Sequence, residues 1–136
     1  MSDASPIVDA QVHIWAADRP DRPWPPGDSR RAHRPVPLEA AGLLEEMPAA
    51  GVDRAILVPP SYEGDYNDLV LAAATTWPDR FRAMGRIAVE RPMTREALAA
   101  FRAQPGMLGI RFTFHLPRMR RWLSDGTSFE AVARVN

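Results

Sequence analysis

The chain has 136 residues, 46% hydrophobic and 25% charged, and its 17 arginines are balanced by 17 acidic side chains. That composition fits one globular domain and argues against a nucleic-acid-binding surface, which needs excess positive charge. Cysteine and lysine are both absent, which removes disulfides, thiolate chemistry, a P-loop or Schiff-base lysine and a carbamylated lysine bridge.

Residues 1–6 lack the basic start of a secretory signal, and no apolar run approaches membrane length, so the expected location is cytoplasmic with no membrane contact. Residues 7–14 read as the first strand. Strict alternation places Val8, Ala10, Val12 and Ile14 on one face and Asp9, Gln11, His13 and Trp15 on the other. Residues 16–37 have no apolar periodicity and many prolines, including Trp24-Pro25-Pro26-Gly27. A connection this long is either a lid or binding loop, or an insertion with little order.

A helix is expected over 38–50, with Ala40, Leu43, Leu44 and Met47 on one face and Pro48 hastening its end before Gly51. The run 54–58 is the second strand, closed by Pro59-Pro60. A helix over 66–77 follows, with Asp65 or Asn67 as its cap and Pro78 as its stop. The third strand spans 81–87. The helix over 94–103 buries Ala97, Leu98 and Phe101, with Gly106 beyond its end. The fourth strand spans 108–114. The run Arg118-Met119-Arg120-Arg121-Trp122 reads as a solvated loop, or as a contact for a phosphate or acidic substrate. A fourth helix is expected from Thr127, which has capping-box spacing to Glu130.

Strands and helices in regular alternation imply α/β architecture with a parallel sheet. Both an open doubly wound sheet and a (β/α) barrel satisfy this. A whole barrel needs about 250 residues, so four such units amount to about half of a TIM-type (β/α)8 barrel. Residues 1–136 are expected to form a single, partial barrel domain.

Parallel strands are usually apolar on both faces, so a row of Asp, Gln and His in the first strand carries a desolvation cost unless it serves a site. At the carboxyl ends of the strands such groups converge on the ligand. His13 is the leading catalytic candidate; the alternative is a hydrogen-bonded core histidine. In the fourth strand Gly109, Arg111, Thr113 and His115 alternate with Leu108, Ile110, Phe112 and Phe114. Arg111 is the natural anion anchor, because its planar fork can hold a carboxylate at two points. His115 either contacts substrate or caps a loop. Arg86 is a second anion contact or an ion-pair partner of Glu90. Trp15 and Trp24 complete the substrate-contacting candidates.

The segment IVDAQVHIW and the Pro-rich loop after it resemble the opening of the amidohydrolase-related family, the branch containing lactonases and decarboxylases. The likeness continues through AAGVDRAILVPP, GDYNDLVLAAATTWPDRF, MGRI and QPGMLGIRFTF. The family opens with Asp-x-His-x-His-x-Trp, which falls on Asp9, Gln11, His13 and Trp15, with Gln11 in place of the first His. The resemblance implies that His13 is a metal ligand, with Gln11 beside it as a far weaker donor, and that the ion is divalent, such as zinc or manganese. It implies a hydrolase of a small carboxylated lactone, ester or amide, with an acidic small molecule as partner. The alternatives are a decarboxylase of the same family, or a non-catalytic fragment or interaction remnant. Members span a whole barrel, so the chain is expected to be a truncated product or to need a partner half. Self-association through the open half-barrel edges is part of that expectation.

Overall fold

The chain runs β1 (Val8–Val12), α1 (Ala40–Glu46), β2 (Arg54–Leu57), α2 (Asp68–Thr76), β3 (Phe81–Gly85), α3 (Arg95–Arg102), β4 (Met107–Ile110) and α4 (Pro117–Ser124). The structure is a computed structural model and describes residues 5–27, 32–91, 93–114 and 117–127. All neighbouring strands pair in parallel, in the order β1-β2-β3-β4. That sequential order is the barrel arrangement, whereas a doubly wound sheet reverses its order at a switch point. The four units are half of a TIM-type barrel.

Helices cover one face of the sheet. Ala55, Leu57, Phe81 and Ala83, each at most 2% exposed, pack with Leu43, Met47, Val70, Ala73 and Ala74. The opposite face, which lines the lumen in a closed barrel, leaves Val8 48% and Leu108 55% exposed.

β1 departs from strict alternation. Asp9 pairs with Ala55 but Val12 pairs with Leu57, so three steps on β1 match two on β2. This bulge puts Asp9 in register with the helix-covered face, while Gln11 and His13 border a cavity on the other face. The expected row of Asp9, Gln11, His13 and Trp15 is therefore broken. The Asp9 carboxylate accepts from the Gln11 backbone N–H (3.0 Å), a local turn that spends the extra residue.

The helices begin and end for local reasons. Thr94 caps α3 by accepting from the Ala97 N–H (3.1 Å). After α1 the chain tightens into a 3-10 turn over Met47–Ala50, because Pro48 has no N–H to donate, and Gly51 closes it at φ 67°. α4 corrects the expected loop over Arg118–Trp122: Pro117 begins a helix, since the first helical position needs no N–H. The Thr127–Glu130 capping box extends outside the described residues. Thr127 itself donates from its backbone N and its hydroxyl to the Asp125 carboxylate.

Candidate functional site

The strands end earlier than their apolar runs, and this sets where the polar groups lie. His13 directly follows β1, Val58 follows β2, Arg86 follows β3 and Arg111 follows β4. Each strand thus contributes its first residue beyond the sheet to one place. Those four border an open cavity of about 300 Å³ with Gln11, His33, Tyr62 and Thr113. No carboxylate lines it among the described residues.

His13 is held by the neighbouring strand. Its Nδ1 lies 2.6 Å from the Val58 carbonyl and donates to it, which leaves the Nε2 lone pair as the free nitrogen. Burial lowers its pKa from 6.5, opposed by the Val58 bond and assisted by His33, Arg111 and Arg86. The folded state therefore holds the His13 proton less tightly than the unfolded chain does. Stability from this group is present above pH 6.5 and is lost as pH falls through the lowered value. In a histidine NMR titration, His13 is expected to have a midpoint below 6.5. A midpoint at or above that of free histidine would refute the neutral assignment.

Arg86 is buried at 9% exposure. Its Nη1 donates to the Thr113 hydroxyl (2.9 Å), while Nε, 3.8 Å from Asp65, is buried without a hydrogen-bond partner among the described residues. Burial lowers its pKa and Arg111 adds to the effect, with Asp65 opposing. Its backbone is clamped at two points by Asn67: the side-chain amide donates to the Arg86 carbonyl (2.8 Å), and its oxygen accepts from the Arg86 N–H (2.7 Å). Asn67 was expected as a helix cap, yet it makes no side-chain cap bond. Gly85 makes room for this clamp, since a Cβ there would lie 2.9 Å from the Asn67 oxygen and 2.6 Å from Phe101. Gly85→Ala is expected to cost about 1–3 kcal/mol by overpacking. Denaturant unfolding checks it, and a cost near zero would show that Phe101 and Asn67 yield freely.

Arg111 is exposed; its Nη1 donates to the Phe112 carbonyl (2.9 Å), and its charge has no carboxylate partner among the described residues. A second cavity of about 150 Å³ shares Arg86, Arg111 and Thr113 and is walled by Met119 and Trp122 of α4. The sequence-selected residues thus divide. Gln11, His13, Arg86 and Arg111 meet in one cavity. Trp15 and Trp24 line a neighbouring one with His33. His115 lies outside the described residues.

The long connection after β1 is tied down where it is described. Arg22 bonds the buried Glu63 (Nε to Oε1, 3.2 Å) and grips Asp68 at two points (2.6 and 2.9 Å), and Glu63 also accepts from the Ala16 N–H (2.9 Å). Sequence reasoning missed Glu63 and Arg22, and gave Asn67 a capping role without its clamp on Arg86, because their partners are distant in the chain. It also missed His33, whose one signal is a titratable ring inside a Pro-rich loop beside the first strand.

A divalent cation would meet one well-prepared nitrogen here, Nε2 of His13, with the Val58 bond orienting the ring as ligand histidines are commonly oriented. Gln11 adds an amide oxygen, and the His33 ring lies 5.6 Å from His13, centroid to centroid. Among the described residues no three His, Cys, Asp or Glu side chains converge. His13, with Gln11 beside it, is the group that would hold a cation here, and the two guanidiniums of the same lining oppose it.

Solved structures share this fold. A probable 2-pyrone-4,6-dicarboxylic acid hydrolase from Acinetobacter baumannii, with citric acid bound, is 18% identical at TM-score 0.62, covering 89% of this chain and 45% of its own. A 5-carboxyvanillate decarboxylase from Novosphingobium aromaticivorans, with manganese and a nitrobenzoic acid ligand, is 16% identical at TM-score 0.69, covering 98% and 49%. An apo protein from Agrobacterium tumefaciens is 23% identical at TM-score 0.60, covering 82% and 38%. The chain thus spans about half or less of these structures' length. No curated protein matches it significantly. The sequence profile of the amidohydrolase family matches residues 8–136. With a sequential parallel sheet and a polar cavity at its carboxyl end, the chain belongs to the amidohydrolase family.

Proposed function

We propose that the protein carrying this chain hydrolyses a small carboxylated lactone, ester or amide, and that this half of the barrel holds the substrate's acid group. One observation carries the reading: a buried guanidinium whose Nε has no hydrogen-bond partner among the described residues, and a second with no carboxylate partner among them, border the same cavity as an imidazole whose Nδ1 is committed to Val58. Arg86 and Arg111 bind and orient the carboxylate, since charge-assisted, two-point contacts are the strong ones. Gln11 presents its side-chain amide N–H to the reacting carbonyl, while the Nε2 lone pair of His13 is the position for an ion. A divalent ion such as zinc or manganese, held by His13, would supply Lewis acidity there. The group that activates water is a carboxylate from outside these residues, because the cavity lacks one among those described.

Residues 1–136 are read as one partial barrel domain. β1 and β4 pair on one side only among the described residues, so further strands or a second copy would seat there. The described residues contain no helix long and apolar enough to cross a membrane; a cytoplasmic location is part of the proposal.

The test is an acid-release assay of the parent protein on a panel of carboxylated lactones, esters and amides. Hydrolysis is expected, with KM raised about tenfold or more in Arg111→Met. Release of CO2 instead would turn the reading to decarboxylation. Turnover of neutral analogues as fast as carboxylated ones would overturn the anion assignment, and no turnover at all would make the chain a non-catalytic remnant.

A further inference from the structure

His33 is a cavity-lining group with no part in the reading above. It comes from the long connection after β1, and the fold brings its ring into edge contact with three others. The centroids lie 5.6 Å from His13, 6.0 Å from Tyr62 and 6.2 Å from Trp15. Tyr62 and Trp15 are 3% and 2% exposed, so the ring leans on a fixed platform. The Arg22 contacts to Glu63 and Asp68 anchor the earlier limb of the same loop. His33 is thus set down beside His13 by packing, although its own outer face is solvent-exposed.

The spacing has chemical content. Two imidazoles on one ion, with bonds of about 2.0–2.1 Å and a tetrahedral angle, place their centroids roughly 5 Å apart. The observed 5.6 Å between centroids, with the rings at 62°, is near that spacing, and His33 is an exposed residue. His13 is prepared on its side, with Nδ1 committed to Val58 and Nε2 free. The position two residues before it on the strand, Gln11, supplies an amide in place of a nitrogen ligand. We propose that His13 and His33 form a two-imidazole site for a divalent transition-metal ion, in which the loop histidine supplies the nitrogen that Gln11 does not. Imidazole pairs suit zinc, nickel and copper. The cavity's Arg86 and Arg111 oppose a cation, so affinity is modest until an acidic ligand occupies them.

The inference concerns cation binding by this chain and is separable from the hydrolase reading, because the chain can bind the ion and hydrolyse nothing. The experiment titrates the 136-residue chain with Zn2+ alone, by calorimetry and by imidazole nitrogen–proton NMR, with Ni2+ as a paramagnetic reporter. The chain has three histidines, so each ring can be followed. Saturable one-to-one binding is expected, with shifts and Ni2+ broadening at His13 and His33. His33→Ala and His13→Ala should each weaken Zn2+ by about tenfold or more. Because His33 is exposed, its replacement leaves the fold intact, which circular dichroism verifies. Gln11→His should tighten binding about tenfold or more and make His33→Ala nearly silent, because the strand then supplies both nitrogens. No saturable binding, an affinity indifferent to His33→Ala, or a response centred on His115 would each overturn the proposal and leave the His13–His33 contact as packing only.

Discussion

Replacing Arg86 with Met is expected to raise fold stability by about 1 kcal/mol while weakening the binding of a small polycarboxylate about tenfold or more. The two effects have opposite signs because the guanidinium is desolvated without being fully paired. It is 9% exposed, its Nε has no hydrogen-bond acceptor among the described residues, and the Asp65 carboxylate is 3.8 Å away. An apolar side chain of similar reach removes that burial cost. The Asn67 clamp acts on the backbone of residue 86 and survives the change. Anion binding loses a donor whose one competing carboxylate, Asp65, is held only at 3.8 Å and shared with Arg91. Denaturant unfolding gives the first quantity and an NMR titration with citrate the second. A loss of stability beyond about 2 kcal/mol would make the bond to Thr113 structural, and unchanged citrate affinity would remove Arg86 from the site.

Arg22→Ala is expected to cost about 3 kcal/mol at neutral pH, with the loss concentrated in the loop after β1. Glu63 is 2% exposed, and without Arg22 its charge keeps, among the described residues, the Ala16 N–H. The penalty is that of a buried carboxylate left alone, which exceeds the value of the pair itself. The contacts of Arg22 to Asp68 add less, because the Asp68 side chain is 60% exposed. Burial already raises the Glu63 carboxyl above its ordinary range. The folded state therefore binds that proton more tightly than the unfolded chain, and the stability this group contributes is lost as pH rises through the raised value. The Arg22→Ala penalty should accordingly shrink as pH falls toward the ordinary carboxylate range. Adding Glu63→Gln to Arg22→Ala should recover most of the loss at neutral pH. Hydrogen exchange in the loop and unfolding at two pH values check this, and a penalty independent of pH would sink the assignment to Glu63.

Much of the fold is legible because its signals are local. The apolar runs over 54–58 and 81–87 mark β2 and β3, and Thr94 lies three residues before the N–H it caps. The Pro48–Gly51 spacing foretells where α1 tightens and stops. The polar residues at 13, 86 and 111 are legible as strand residues on a polar row or at a strand end, and they meet in the structure, where β4 ends at Ile110 and leaves Arg111 just beyond it. The helix over Arg118–Trp122 escaped the expectation of a loop because Pro117 can end one segment or begin a helix, and the charge run suits a loop as well as an exposed helix.

The sequence by itself determined the kind of unit, parallel strand followed by helix, and the chemistry placed at the strand ends, since these depend on periods of two and 3.6 residues within a short window. Tertiary structure decided the strand order, and with it the barrel rather than the doubly wound sheet. It decided that Asp9 leaves the row of Gln11 and His13, because a bulge exists only relative to a partner strand. It also decided which nitrogen of His13 is free, through a carbonyl 45 residues away, and how the Glu63 contact to Ala16, 47 residues apart, ties down the loop that carries His33. Those outcomes depend on what the rest of the chain presents at the point of contact, which no local window contains.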